Sequence, residues 1–470
     1  MTEARLTTLL GGAQIGTVTR RRDGLHFTYN EDWRSSKSAM PLSLSMPLAS
    51  ADHGSAPLEA FLWGLLPDNP SVIRSWARDF QISPSNVFGL IAHVGEDCAG
   101  AVQFIRSERL EAVTAAGAPE IEWIDEAQIA ERLRALRHDE STWWRHSDVG
   151  QFSLSGAQPK IALLHHDGRW GIPAGRTPTT HILKPPTADL DGLAENEHIC
   201  LTLARALGLP AAISEVMRFE DEVAIVVERY DRTDTAVMAS ASAAEAAALV
   251  AGAVGDVAEM AARTAAAAAR SAAFASLAET QPILRLHQED LCQALGLLPS
   301  YKYQNEGGPT PERIVELLQT HSSRPKEDIQ TFVDALAFNW LIAGTDAHAK
   351  NYSLLHGTRG RVRLAPLYDV VSAFPWYEQD YQRLKLAMKV GGQYRFRDVG
   401  SRQWRKQAVA LHLDEGATLD RVTWLASQIR EEIERICEQL HGQDLTHPIV
   451  DQLCESLVAR AKSCCRVLGL

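Results

Sequence analysis

The apolar residues Ile329, Phe332, Val333, Leu336 and Trp340 recur at helical spacing and stop before Gly344. A polar loop follows, Thr345-Asp346-Ala347-His348-Ala349-Lys350-Asn351. Two short runs, Tyr352-Ser353-Leu354-Leu355 and Val362-Arg363-Leu364-Ala365, then flank the turn Gly357-Thr358-Arg359-Gly360, and the second leads on to Leu367-Tyr368-Asp369. The pattern predicts helix, loop and hairpin. A hairpin brings its two ends together. Asp346 and Asn351, ahead of the first strand, and Asp369, past the second, are therefore expected at one place.

The same reading divides the rest of the chain. Residues 1–108 form a small unit with strands at Gln14–Val18 and Leu25–Tyr29 around a charged turn. Pro41–Met46 alternates as a third strand, Phe61–Leu66 and the stretch near Trp76 suggest helix, and Ala101–Ile105 suggests a closing strand. Ala112–Pro119 reads as a linker. Residues 120–232 alternate strands with one helix. Apolar strands are expected at Ile161–Leu164, Thr180–Lys184 and Val223–Val227, with a helix opening at Glu195-Asn196-Glu197 and closing at Gly208 and Pro210. An insertion over residues 233–282 is marked by 22 alanines in the 43 positions from 236 to 278. Alanine favours helix but buries little surface, so this stretch reads as a helical or partly disordered excursion without chemistry. Residues 283–470 read as mainly helical, with His287–Gly296 as a helix, Tyr301–Pro309 as a polar loop, and amphipathic stretches at Val422–Leu440 and Ile449–Val467.

Composition adds bounds rather than detail. At 470 residues, 45% of them hydrophobic and 23% charged, the chain can bury a core in two or three units. Met1–Arg5 opens no apolar leader, and no uninterrupted apolar span reaches membrane length. The seven cysteines are scattered without a Cys-x-x-Cys pair, which suggests a reduced, cytoplasmic protein without structural zinc or a disulfide framework. A net charge of −12 opposes unaided binding to DNA or to an anionic membrane. One segment runs against that balance. Residues 383–406 hold Arg383, Lys385, Lys389, Arg395, Arg397, Arg402, Arg405 and Lys406 against Asp398 alone, a local charge of +7.

The chemistry that these residues suggest is phosphoryl transfer. A carboxylate must take the acceptor hydroxyl's proton, while an amide oxygen and a second carboxylate hold magnesium on the phosphates. Asp346 and Asn351 stand at the Asp-x-x-x-x-Asn spacing this needs, and Asp369 follows at a metal ligand's place. Asp and Asn also sit in turns for ordinary reasons, so the trio alone does not decide. Upstream, Ser153-Leu154-Ser155-Gly156-Ala157-Gln158-Pro159-Lys160 is a small-residue loop entering a strand, a form that lets backbone N–H groups approach phosphate oxygens. Lys184 ends an apolar strand, and either Glu195 or Glu197 could pair with it. Both acids also favour a helix N-terminus for its dipole. Val223–Val227 runs into Glu228-Arg229-Tyr230-Asp231-Arg232, a buried strand leading to a polar switch, as a hinge between lobes does.

Seven segments in order resemble one family: Asp97–Ala101, Ser155–Lys160, His181–Lys184, Glu228–Arg232, His287–Asp290, Thr345–Asn351 and Leu364–Asp369. The chain resembles the HipA-like serine/threonine kinase toxins of bacterial toxin–antitoxin pairs. The resemblance implies an α+β, protein-kinase-like two-lobed fold with an extra N-terminal β-rich subdomain and a mainly helical C-lobe. It implies ATP and Mg2+, with Asp346 as catalytic base and Asn351 and Asp369 on the metal. Ser155, Gly156, Ala157, Gln158 and Lys160 would form the phosphate loop, with Lys184 gripping phosphates. Glu228, Arg229 and Tyr230 would line the adenine site, and His348, Lys350, Asn351 and Tyr368 would complete the nucleotide's surroundings. Ser153 matches a serine that the family autophosphorylates to switch itself off, with Ser155 as a second candidate. The implied partners are a helix-turn-helix antitoxin of HipB type, operator DNA reached through it with Lys385 and Lys389 touching the DNA, and a protein substrate such as an aminoacyl-tRNA synthetase. No membrane is implied. A kinase-fold co-repressor and a small-molecule phosphotransferase are the alternative readings. Pro159, where the family usually has glutamate, and the alanine-rich insertion depart from the pattern.

Overall fold

Leu25, Phe27 and Tyr29 alternate with His26 and Thr28, and in the computed structural model of the chain that alternation is a strand with one buried face. The structure describes residues 4–114, 121–139, 153–175, 177–187, 190–235, 240, 283–358, 360–377, 383–442 and 445–469. Most of the expected linker and nearly all of the alanine-rich stretch lie outside the described residues.

In the N-terminal unit, β1 (Arg5–Leu10), β2 (Ala13–Arg21), β3 (Gly24–Tyr29), β4 (Asp52–His53) and β5 (Val102–Arg106) form an antiparallel sheet in the order β4-β3-β2-β1-β5. The helices α1 (Glu31–Arg34), α2 (Ser55–Leu65), α3 (Pro70–Asp79), α4 (Val87–Val94) and α5 (Leu110–Thr114) accompany it. The strand expected at Pro41–Met46 is not there; an isolated bridge, Ser43 to Met46, is all that forms. Its polar groups find scattered partners instead of a ladder. Leu42 N–H donates to Tyr29 Oη (2.7 Å), Leu44 N–H to Glu289 Oε1 (2.9 Å) and Ser45 Oγ–H to the Gln293 carbonyl (2.9 Å).

The second sheet has the order β10-β11-β9-β7-β8-β6, all antiparallel. Its strands are β6 (Ile121–Ile124), β7 (Ile161–His166), β8 (Arg169–Pro173), β9 (His181–Lys184), β10 (Ser214–Phe219) and β11 (Glu222–Glu228). Two helices accompany it, α6 (Glu126–His138) and α7 (Leu193–Ala206). Ile161, Leu163, Leu183 and Val226 share one apolar core with Phe27, Phe61 and Trp76, so this lobe and the N-terminal unit bury a common interior. β12 (Arg232–Asp234) pairs with β13 (Ile283–Arg285), so the chain leaves for the alanine-rich stretch and returns from it at the same point.

His287–Gly296 is a strand and then a helix rather than one helix. β14 (His287–Asp290) pairs with β15 (Ser353–Gly357), itself paired with β16 (Arg361–Leu364). The helix α8 (Leu291–Ala294) starts only where Asp290 and Gln293 exchange capping-box bonds. The remaining helices are α9 (Pro311–His321), α10 (Pro325–Ile342), α11 (Phe374–Tyr377), α12 (Ser401–Ala410), α13 (Glu415–His441) and α14 (Ile449–Leu468). The basic segment makes β17 (Lys385–Val390), β18 (Gln393–Arg395) and then α12. A second core fills this lobe around Phe332, Phe338, Trp340, Trp404, Leu425 and Leu453. α13 and α14 pack on each other and on α7. At the start of α7, Gly192 has φ +74°, and a Cβ there would stand 2.6 Å from Ile449 of α14, so only glycine permits the approach. Cys437 of α13 and Cys454 of α14 are joined as a disulfide, with Cα atoms 6.7 Å apart, contrary to the expectation of a reduced protein. No helix among the described residues is long and apolar enough to cross a membrane.

Candidate functional site

Lys184 is the last residue of β9, opposite Ile225 of β11, and its side chain is buried. α7 delivers Glu197, 1% exposed, to meet it: Nζ lies 2.8 Å from Oε1 and 3.1 Å from Oε2. Of the two acids at this helix start, Glu197 makes the pair. Lys184 also donates to Asp369 Oδ1. Asp369 adopts φ +52°, a left-handed turn that aspartate tolerates better than most residues, just beyond the hairpin of β15 and β16. Burial would push the Asp369 carboxyl up, but the ammonium groups of Lys184 and Lys160 hold it down at about 2.

The loop from Ser153 to Lys160 lies tucked against the N-terminal unit. Ser153 is fully buried, with its N–H on the Asp97 carbonyl (2.8 Å) and its Oγ–H on the Leu65 carbonyl (2.8 Å). Gly156 has φ +108°, and a Cβ there would meet Lys160 Nζ at 2.5 Å. The Lys160 ammonium donates to the Ser155 carbonyl (2.8 Å), and burial brings its pKa down to about 8. Gln158 donates to the Pro185 carbonyl at 3.3 Å, while Ala157 is exposed.

α10 ends at Ala343 in a left-handed conformation and releases the polar loop of residues 345–351. Asn351 Nδ2–H donates to the Asp346 carbonyl (2.8 Å), which fixes the amide. Asp346 itself is 63% exposed and receives a hydrogen bond from the Tyr303 hydroxyl. His348 Nε2 lies 3.7 Å from Asp346 Oδ1, and burial lowers its pKa to about 4, so the ring is neutral. Lys350 is buried, with Nζ 2.5 Å from Asp68 Oδ1. Tyr368 Oη–H donates to the Lys350 carbonyl (2.7 Å).

Two adjoining cavities hold these groups. The wider one, about 480 Å3, is lined by residues 155–160, Asp346, His348, Lys350, Asn351, Tyr368 and Asp369. The inner one, about 100 Å3, lies between Ile182, Val227, Glu228, Tyr230 and Tyr368. Apart from Ser153 and the two lysines assigned to DNA, the residues expected at the nucleotide line one or both. Arg229 does so with a qualification. Its guanidinium is engaged by Asp231 (Nε to Oδ1, 3.0 Å) and Thr179 (Nη1 to Oγ1, 2.8 Å), which leaves the backbone to face the cavity. Lys385 is exposed on β17, and Lys389 lies over the Tyr394 ring at 5.0 Å; neither lines the cleft.

Three participants escaped the sequence reading. Asp68 takes both Lys350 and Lys302 (2.8 Å) on one carboxylate, and Tyr303 reaches Asp346. Asp97, noted only within a family segment, binds Arg232 and Arg285, each at 3.0 Å. A divalent cation fits the donors at hand. Asn351 and Asp369 offer hard oxygens, and no cluster of three or more His, Cys, Asp or Glu among the described residues could hold a metal by itself. That set suits magnesium arriving with phosphate oxygens of its own.

Residues 6–105 match the HipA N-terminal domain family and residues 152–443 the HipA-like C-terminal domain family. The kinase-named protein Y4mE of Sinorhizobium fredii is 31% identical, over 98% of this chain and 99% of its own. The serine/threonine-protein kinase toxin HipA of Shewanella oneidensis is 26% identical, over 100% of this chain and 98% of its own. Among solved structures, that organism's HipA in complex with HipB and operator DNA superposes with a TM-score of 0.75 at 24% identity, covering 98% of each chain, which shows the shared fold.

Proposed function

The chain belongs to the HipA family, and we propose that it is an ATP- and magnesium-dependent serine/threonine protein kinase, the toxin of a toxin–antitoxin pair. The observation that carries this reading is the pairing of Lys184 with both Glu197 and Asp369 inside the cleft whose rim bears Asp346 and Asn351. An active kinase needs its phosphate-gripping lysine paired with a helix glutamate and close to the metal carboxylate.

In this reading the purine enters between Val227 and Tyr230, and the phosphates lie along the loop of residues 155–160 toward Lys160 and Lys184. Bound magnesium, held by Asn351 and Asp369, supplies positive charge against the phosphate oxygens. Asp346 accepts the proton of the acceptor hydroxyl as that oxygen bonds to the γ-phosphorus and the bond to the bridging oxygen of ADP breaks. The exposed Asp346 stands where a protein side chain can reach it.

The finer parts of the proposal rest on the family. They are an aminoacyl-tRNA synthetase or similar protein as target, self-inactivation at Ser153, and neutralisation by a HipB-like antitoxin that brings the chain to operator DNA. The test is expression of wild type and Asp346→Asn beside each other, with labelled ATP transfer to protein followed in extracts. Wild type should arrest growth and transfer phosphate, and Asp346→Asn should do neither at equal soluble yield. Growth arrest by a folded Asp346→Asn protein would sink the kinase reading.

A further inference from the structure

From the N-terminal unit, Asp68 lines the phosphate end of the cleft. Asp68 follows α2 in the stretch Leu65-Leu66-Pro67-Asp68-Asn69, and its side chain is 11% exposed. Its backbone N–H donates to the Gly156 carbonyl of the phosphate loop at 2.9 Å, beside a bridge from Pro67 to the same glycine. Its carboxylate divides between two ammonium groups, Oδ1 to Lys350 Nζ at 2.5 Å and Oδ2 to Lys302 Nζ at 2.8 Å.

Both lysines belong to the transfer machinery. Lys350 precedes Asn351 in the catalytic loop, and Lys302 accepts the Ala349 N–H on its own carbonyl (3.1 Å). Tyr303, the next residue, donates to Asp346. Burial would raise the Asp68 carboxyl, yet the two ammoniums hold its pKa down at about 2, so it is charged throughout the physiological range.

We propose that Asp68 is a positioning residue of the phosphoryl-transfer site, so that the N-terminal unit supplies part of the kinase cleft rather than only packing against it. This rests on the kinase reading of the same site. Two ammoniums side by side repel unless a shared anion offsets them. With the anion present, Lys350 is held at the cleft wall and the segment carrying Lys302 and Tyr303 is held against the catalytic loop. Without it, Lys350 loses its counter-charge while 3% exposed and must move from the cleft wall. The adenine end, built from Val227 to Tyr230, does not touch Asp68 and keeps its shape.

The test uses full-length protein, labelled ATP, casein as acceptor, and adenosine as a probe of the adenine end alone. Asp68→Asn keeps the size and the backbone bond to Gly156 but removes the charge. It should lower kcat roughly tenfold or more and leave adenosine affinity within about twofold of wild type. Asp68→Glu should recover part of the loss. Adding Lys302→Met to Asp68→Asn should also recover part of it, because one repelling charge has gone; a residue that only supported the fold would show no such rescue. The proposal is overturned by a folded Asp68→Asn with wild-type kcat, or by equal losses of kcat and adenosine affinity with no rescue. Should Asp68→Asn fail to fold, the uncharged Asp68→Ser takes its place in the same comparison, and wild-type kcat in that folded variant overturns it. Wild type run in parallel separates the two ideas. Absence of transfer by wild type defeats the kinase reading and this proposal with it, whereas transfer by wild type and Asp68→Asn alike defeats only the role of Asp68.

Discussion

Lys184 and Glu197 meet at 2.8 Å with both side chains buried, and the glutamate comes from a helix that the second lobe holds in place. The pair therefore reports whether α7 is docked against the sheet. In the proposed kinase, the lysine at the end of β9 depends on a helix whose seat is built by residues far along the chain.

Glu197→Gln should weaken catalysis without unfolding the protein. The lysine keeps Asp369 but loses a charge-assisted bond of about 1.5–3 kcal/mol, equivalent to roughly 10- to 150-fold in kcat/KM if it is fully expressed in the transition state. Lys184→Met is harsher, because it leaves Glu197 and Asp369 facing each other unpaired, and should cost on the order of 3–5 kcal/mol of stability. Steady-state kinetics and chemical denaturation measure the two effects separately. A Glu197→Gln protein with unchanged kcat/KM would show the pair to be architectural.

Lys160 sets a pH dependence for nucleotide affinity. Burial holds its pKa near 8 in the free protein, and anionic phosphates must raise it, so binding above that pH takes up a proton. ATP affinity should be flat below about pH 8 and should fall above it, by up to about tenfold per unit. Calorimetry at pH 8.5 in buffers of different ionisation enthalpy should detect proton uptake in wild type and not in Lys160→Met. Identical heats for both proteins in every buffer would remove Lys160 from the phosphates.

Ser153 should become phosphorylated slowly, because the loop must first leave its seat. Its hydroxyl is fully buried, engaged by the Leu65 carbonyl, and lines neither cavity of the cleft. A phosphate adds about −1.5 to −2 charges, which cannot return to a pocket bounded by two backbone carbonyls. Incubation with ATP and magnesium should therefore give a modified form that no longer binds nucleotide, with peptide mapping placing the phosphate at Ser153. Phosphate found solely outside residues 153–155 would count against this.

Binding to DNA should depend on Lys385 and Lys389 only when an antitoxin is present. The chain's net charge of −12 argues against unaided binding, while the exposed Lys385 and the Tyr394-backed Lys389 sit within a segment of charge +7. For every DNA phosphate that a lysine no longer neutralises, the salt dependence should flatten by about 0.9 in log–log slope. Lys385→Ala with Lys389→Ala should lower the gain in operator affinity and leave phosphotransfer intact. Equal salt slopes for the double variant and wild type would exclude the two lysines.

Much of this site was legible because its parts lie close together in sequence. Asp346, Asn351 and Asp369 flank one hairpin, and hairpin geometry alone predicts their convergence. Where two residues share a helix end, the pattern could not choose: Glu195 and Glu197 are both buried, and helix phase together with the position of Lys184 selects Glu197. Pro41–Met46 misled because alternation signals a strand only if the backbone finds a ladder, and here side chains take its hydrogen bonds. Asp68 was hidden for a different reason. Pro67-Asp68-Asn69-Pro70 reads as a turn, and Asn69 does cap α3 by accepting from Ser71 N–H (2.9 Å). The distant lysines that give Asp68 its role leave no trace in local sequence. Asp97 is similar, since Arg232 and Arg285 reach it from either side of the alanine-rich stretch.

The seat of α7 on α14 carries a temporal consequence for the cell. Glu197 is translated well before Ile449 and its neighbours, against which Gly192 rests. Until then the helix lacks the surface that presses its glutamate toward Lys184. In the proposed kinase, a chain that stops before α14 should transfer no phosphate. Phosphoryl transfer should begin only once α14 has packed against α7.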